Sequence, residues 1–298
     1  MLTKIDQIMA DMIGEFDYSL ASDMFASISS GKKLRSKLIL NIAQANDETL
    51  KLCAVIELIH AASLLHDDVI DESDIRRGKA SFNATYGSKN AIMIGDILYS
   101  KGYYELTKFN PFIAAEISKA VSYLSIGELM DVELSANFNT DKDRYITMIY
   151  NKTAVLIEAS AKCGAFLAKF DTDKFGKYGK NLGLAFQIVD DLLDITSDTQ
   201  TLGKPALSDF RDGKTTLPYI YLYENLEACD KEILKSYFKK DLNEDEISWI
   251  KNKFKEFNII EKSLQEAKEI ASLGIKAIGE YENEGLINVM KNMVDREF

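Results

Sequence analysis

Residues 57–71 read Glu57-Leu58-Ile59-His60-Ala61-Ala62-Ser63-Leu64-Leu65-His66-Asp67-Asp68-Val69-Ile70-Asp71. Apolar side chains dominate the run until three carboxylates close it. On a helix, Asp67 and Asp71 project from one face about 6 Å apart along the axis. Like charges so placed repel, and an unpaired charge in an apolar setting is costly. The same spelling returns at Asp190-Asp191-Leu192-Leu193-Asp194, behind Leu184-Ala185-Phe186. A divalent cation resolves the conflict at both places, because carboxylate oxygens suit Mg²⁺, which takes about two of them and fills its octahedron with water and phosphate. One acid pair on a helix is usually a solvated face; two in apolar surroundings, with basic residues nearby, favour metal. His60 and His66 are the only histidines, too few for the paired Glu-x-x-His motifs of a di-iron bundle, although Glu57 and His60 supply one.

Outward from these clusters, apolar residues recur at helical spacing, as in Ile5, Ile8, Met9 and Met12, or Ile146, Ile149, Tyr150 and Thr153. Only three prolines, Pro111, Pro205 and Pro218, interrupt 298 residues that are 46% hydrophobic. Long helices throughout, an all-α protein and a single domain over 1–298 are the expectation. Breaks are expected at 29–33, 73–79, 109–111, 137–140, 170–173 and 198–213. The last is too long for a turn and has the composition of a functional loop. The charged, amphipathic chain beyond Glu224 reads as structural.

The 36 basic residues against 47 acidic ones leave a net charge of −11, which excludes broad binding to nucleic acid or an anionic membrane; an anion site must be local. Cys53, Cys163 and Cys229 lie far apart, without metal-ligand spacing and odd in number, which points to a reducing compartment. Residues 1–12 are interrupted by charge and do not read as a signal peptide. No run reaches about 18 uninterrupted apolar residues, since 52–65 contains Glu57 and His60, so no stable membrane insertion and a cytoplasmic location are expected.

Basic residues gather around the clusters. Gly31-Lys32-Lys33-Leu34-Arg35 reads as a glycine-led helix start that could cradle a diphosphate. Arg76-Arg77-Gly78 follows the first cluster, and His60 lies two turns upstream of Asp68. The plainer readings are a core histidine for His60, salt bridges to Asp71 or Asp74 for the arginines, and surface charge for Lys152 and Lys204.

Taken together, G-K-K-x-R, E-L-I-H-x-A-S-L-L-H-D-D-V-I-D, R-R-G, Y-x-x-M-I-Y-x-K-T, F-Q-I-V-D-D-L-L-D, and L-G-K-P followed by D-G-K-T-T-L-P resemble the trans-isoprenyl (polyprenyl) diphosphate synthases of long-chain type. The likeness runs from about residue 30 to 220. It implies an all-α isoprenoid synthase fold around a central cavity, a homodimer, and condensation of isopentenyl diphosphate with an allylic diphosphate such as farnesyl or geranylgeranyl diphosphate. By that resemblance Asp67, Asp71 and Asp190 ligate three Mg²⁺, with Asp68, Asp191 and Asp194 completing the metal set. Arg76, Lys152 and Lys204 contact the allylic diphosphate, and Lys214 binds substrate. Lys32, Arg35, His60 and Arg77 hold isopentenyl diphosphate without metal, and Thr153 and Gln187 line the reacting centre.

The chain departs from the family pattern at Ser30 and Ser36, where glycine and proline are frequent, and at Asp131, where glutamine is common. The end, Asp295-Arg296-Glu297-Phe298, offers one cation, too little for a closing tail. Product length follows from bulk about one turn before Asp67. Ala62 and Ser63 are small there, which implies a product longer than farnesyl; a short-chain synthase is the alternative. Met93, Tyr123, Leu124 or Met130 could set deeper stops. A class I terpene cyclase lacks the metal-free diphosphate site, and a non-catalytic subunit would have lost one cluster, whereas both stand here.

Overall fold

The computed structural model describes residues 1–29, 31–76, 78–196 and 207–295. The chain runs α1 (Leu2–Gly14), α2 (Ser19–Ser27), α3 (Leu34–Ile42), α4 (Asp47–Ile70), β1 (Ile75–Arg76), β2 (Lys79–Ala80), α5 (Phe82–Tyr86), α6 (Ser88–Leu106), α7 (Pro111–Leu134) and α8 (Lys142–Ile149). A π-turn, Tyr150–Ala154, leads into α9 (Val155–Ala168), then α10 (Thr172–Thr196), α11 (Ser208–Arg211), α12 (Leu217–Asn225), α13 (Ala228–Tyr237), α14 (Glu244–Glu256), α15 (Ile259–Ala277), a 3₁₀ turn and α16 (Glu284–Val294). The all-α expectation holds. Among the described residues the only sheet is the antiparallel β1–β2 pair, with Ile75 opposite Ala80. The breaks expected at 29–33, 73–79, 109–111, 137–140 and 170–173 fall close to where turn residues place them, while most of the one at 198–213 lies outside the described residues. The chain divides into two compact units, Met1–Ser122 with Leu156–Gly176, and Tyr123–Val155 with Lys177–Phe298.

The first unit is organised by α4. Asn46 caps it, accepting from the Thr49 N–H at 2.9 Å, and Asp47 and Glu48 complement the dipole of the first turn. Its middle is apolar all round: Leu52, Cys53, Val55, Ile56, Leu58 and Ile59 are fully buried, the pattern of a central core helix. By length and hydropathy α4 could cross a bilayer, yet 67% of its apolar window is buried inside the fold. α6 approaches closely because two of its residues are glycine. A Cβ on Gly102 would lie 3.0 Å from Ile59, and one on Gly95 2.3 Å from His66 Nε2. Lys101, 2% exposed, ties α6 to the turn after α1 through Glu15 at 2.5 Å, and pairs with Glu105 at 2.6 Å.

The second unit contains the end of α7, most of α10 and the helices after it. Phe210 stacks on Tyr219 at 4.2 Å, and Phe254 meets Tyr219 edge-on. The Tyr178 hydroxyl donates to the Leu286 carbonyl at 2.7 Å, and Met290 fills the space left by Gly274. Asn243 and Glu246 close a capping box on α14. The helical tail therefore packs as part of this unit's core, as its amphipathic pattern implies.

Candidate functional site

In the first unit, α4 ends at Ile70 and Asp71 is its C-cap, with its N–H bonded to the Asp67 carbonyl at 2.8 Å. Asp67 is half-buried, Asp71 exposed and Asp68 buried. Arg76 reaches back from β1, donating through Nε to both Asp68 oxygens at 2.7 and 2.8 Å and through Nη2 at 2.7 Å. This planar pairing neutralises the middle carboxylate from within the chain. Gly78, with φ of +72°, makes the tight reversal that returns the chain to β2.

The glycine-led segment differs from expectation: α3 begins only at Leu34, with Lys33 left-handed at its cap, not at Gly31. Lys33, not Lys32, is buried, and it pairs with Asp6 at 2.7 Å. Lys32 is exposed. Arg35 sits in the first turn of α3 with its Nε buried and without a hydrogen-bond partner. Burial holds its guanidinium down at about 10, with Glu57 opposing. Ser36 donates to Glu57 at 2.6 Å. His60 is half-buried, Ala62 fully buried, and Ser63 donates to the His60 carbonyl at 2.9 Å.

The second cluster sits on α10 in the second unit. Asp190 is exposed, whereas Asp191 and Asp194 are buried. Asp191 accepts from the Tyr145 hydroxyl at 2.5 Å and from Gln187 Nε2 at 2.9 Å, and Thr153 donates to Gln187 Oε1 at 2.8 Å. Asp194 accepts from Ser208 Oγ at 2.5 Å and from the Asp209 N–H at 3.2 Å, which fixes the start of α11. All of these donors are neutral. Burial, and next the Asp209 charge, push the Asp191 carboxyl well above the usual carboxylate range. Burial and the Asp191 charge push the Tyr145 phenol up.

Within this unit Asp190, Asp191, Asp209, Lys152, Lys214, Thr153, Gln187 and Tyr145 line a cavity of about 220 Å³. The donor set is hard oxygen with ammonium alongside, which fits Mg²⁺ bridged to a phosphate and does not fit a soft metal. Six of the residues named from sequence in this unit, Lys152, Thr153, Gln187, Asp190, Asp191 and Lys214, share the cavity, and Asp194 anchors its wall. In the first unit the structure joins Asp68 to Arg76. Arg77, Lys204 and Ser30 lie outside the described residues.

A family model described as polyprenyl synthetase matches residues 19–254. The chain belongs to this family. A prenyl transferase of Cyanidium caldarium is 38% identical over 284 residues, 90% of this chain and 87% of the relative. The octaprenyl diphosphate synthase of Escherichia coli strain K12 is 35% identical over 227 residues, 73% of this chain and 68% of that one. Among solved structures, the octaprenyl pyrophosphate synthase of Helicobacter pylori is similar with a TM-score of 0.95 and 44% identity, covering 99% of this chain and 98% of the other. As a polyprenyl synthetase the chain is a trans-polyprenyl diphosphate synthase, a transferase that condenses isopentenyl diphosphate with an allylic diphosphate to give a longer polyprenyl diphosphate.

Two lysines of this polyprenyl synthetase owe their place to backbone geometry. Lys152 lies in the wide π-turn, a feature that recurs at functional sites. The turn passes so close to α7 and α10 that a Cβ on Gly127 would lie 2.2 Å from the Lys152 nitrogen, and one on Gly183 2.4 Å from the Ala154 Cα. Only glycine fits at either point. Lys152 Nζ then meets Asp131 at 2.5 Å and Glu128 at 2.9 Å. Lys214 follows Gly213, whose φ of +90° and close approach to the Ser135 carbonyl set the bend. Sequence reasoning assigned no role to Tyr145, Ser208, Asp209 or Glu128. Tyr145 carries a usable signal, since it stands two helical turns before Lys152, and Ser208 and Asp209 stand in the 198–213 stretch that reads as a functional loop; Glu128 is a tertiary encounter without one.

Proposed function

We propose that the chain is a long-chain synthase that elongates farnesyl or geranylgeranyl diphosphate, working as a Mg²⁺-dependent homodimer in the cytoplasm. One observation carries the reading: the cavity sets carboxylates Asp190, Asp191 and Asp209 together with the ammonium groups of Lys152 and Lys214. That combination suits a metal-bound diphosphate and little else. In this reading Asp67, Asp71 and Asp190 ligate three Mg²⁺, with Asp68, Asp191 and Asp194 behind them. Mg²⁺ held there would stabilise the charge that collects on the departing diphosphate. Arg76, Lys152, Lys204 and Lys214 bind the same leaving group. Lys32, Arg35, His60 and Arg77 hold isopentenyl diphosphate so that its double bond lies against the ionising carbon. The buried Arg35 Nε supports an anion there. Thr153 and Gln187 line the reacting centre, where exclusion of water protects the allylic cation. The departing diphosphate takes the final proton, so no protein base is assigned.

Product length rests on Ala62 and Ser63 and on relatives named for octaprenyl and solanesyl products. Ala62→Phe is expected to shorten the product, read by chromatography of the dephosphorylated alcohols; an unchanged length removes the assignment. The homodimer is supported by Tyr123, Ile126, Leu129 and Val132, an exposed apolar stripe at three-residue spacing on α7. Incubation with Mg²⁺, radiolabelled isopentenyl diphosphate and farnesyl diphosphate tests the whole. Linear elongated product, lost on adding EDTA, is the expected result. Cyclised hydrocarbon would make the chain a cyclase, and no turnover a partner-dependent subunit.

A further inference from the structure

The proposed roles leave Asp131 unused, although in the second unit's cavity its carboxylate meets two of the proposed diphosphate cations. Asp131 is 5% exposed on α7. Its Oδ2 lies 2.5 Å from Lys152 Nζ and 3.8 Å from Lys214 Nζ. The two lysines arrive on separate elements, Lys152 from the π-turn and Lys214 from the bend after Gly213. Two ammonium groups drawn to one spot repel each other, and a carboxylate oxygen shared between them is what lets both stand there. Glu128 braces Lys152 from a second side at 2.9 Å, and its other oxygen is buried without a hydrogen-bond partner.

We infer that Asp131 is a positioning residue for the allylic diphosphate, gathering Lys152 and Lys214 and fixing the point from which their charges meet it. It touches no reacting atom and acts through the lysines. The inference rests on the reading of the cavity as a diphosphate site. A plain buried ion pair would lower stability when broken but would not single out one substrate.

The test uses the full chain, with inorganic pyrophosphate and Mg²⁺ in calorimetric titrations beside steady-state kinetics. Asp131→Asn keeps the shape and removes the charge. It is expected to weaken pyrophosphate binding about tenfold and raise KM for farnesyl diphosphate by a similar factor, leaving KM for isopentenyl diphosphate unchanged. Asp131→Glu, which restores the charge, should recover most of the loss. In a Lys214→Met background, removing Asp131 should cost less than about half as much on the logarithmic scale, because the two residues act as a unit. Unchanged pyrophosphate binding, an equal rise in both KM values, or a full loss in the Lys214→Met background would each overturn the inference. Should Asp131→Asn not fold, Glu128→Gln replaces it, with about a threefold loss expected from freeing one side of Lys152, and no loss refuting the idea. If the wild-type chain does not bind pyrophosphate with Mg²⁺, the functional reading falls with it; if it binds and Asp131→Asn matches it, only this inference falls.

Discussion

Asp68 in the first cluster is met by the Arg76 guanidinium at 2.7 Å, whereas its counterpart Asp191 in the second cluster is met by a phenol and an amide. The spelling D-D-x-x-D is the same. In the first cluster the chain supplies its own cation for the buried middle carboxylate, and the outer aspartates stay accessible. In the second, the buried Asp191 accepts from a phenol and an amide, and Asp209 brings further negative charge close enough to raise the Asp191 pKa. Buried carboxylates in that state favour any added cation. Identical motifs thus set their middle carboxylates in different electrostatic surroundings because their neighbours differ, and Asp191 is the one that an added cation would help to ionise.

The strongest way to break this comparison is to remove the accessible carboxylate of the second cluster. Asp190→Asn should lower kcat/KM about a thousandfold, with little change in the urea midpoint because the side chain is exposed. Next comes the pair of middle-carboxylate partners. Arg76→Met leaves Asp68 buried and uncompensated and should cost about 2–3 kcal/mol of stability, discounted for the exposed part of the arginine. Tyr145→Phe removes one neutral donor and should cost about 1 kcal/mol in the same urea titrations. Equal losses would show that the two clusters are neutralised alike.

The smallest effect is on pH. Because the Asp191 pKa is raised, the folded chain keeps a proton that the unfolded chain has released. The resulting stability is fully present below the ordinary carboxylate range and is lost as pH rises through the folded value. In EDTA, from roughly pH 4 to pH 7, wild type should lose stability relative to Asp191→Asn by at most about 1.4 kcal/mol per pH unit. Added Mg²⁺ should flatten the difference. Parallel curves would contradict the raised value.

Much of this was legible in the sequence, for stated physical reasons. The helical spacing of Ile5, Ile8, Met9 and Met12 gives α1, and the two clusters within apolar runs announce themselves as costly unless paired. What escaped are the partners. Nothing local places Tyr145 against Asp191, or Ser208 against Asp194, since these are contacts between elements. The π-turn at Lys152 is equally hidden, because it depends on Gly127 and Gly183 leaving room on neighbouring helices. At Lys32-Lys33 the residue types were readable but the register was not: a left-handed Lys33 moves the helix start to Leu34 and turns Lys33 inward onto Asp6.

The most direct test of the account is the chain length of the product made by the wild-type protein from farnesyl diphosphate, Mg²⁺ and excess isopentenyl diphosphate. A linear all-trans polyprenyl diphosphate longer than geranylgeranyl is the result expected. A product that stops at geranylgeranyl diphosphate, or one that is cyclised, would contradict it.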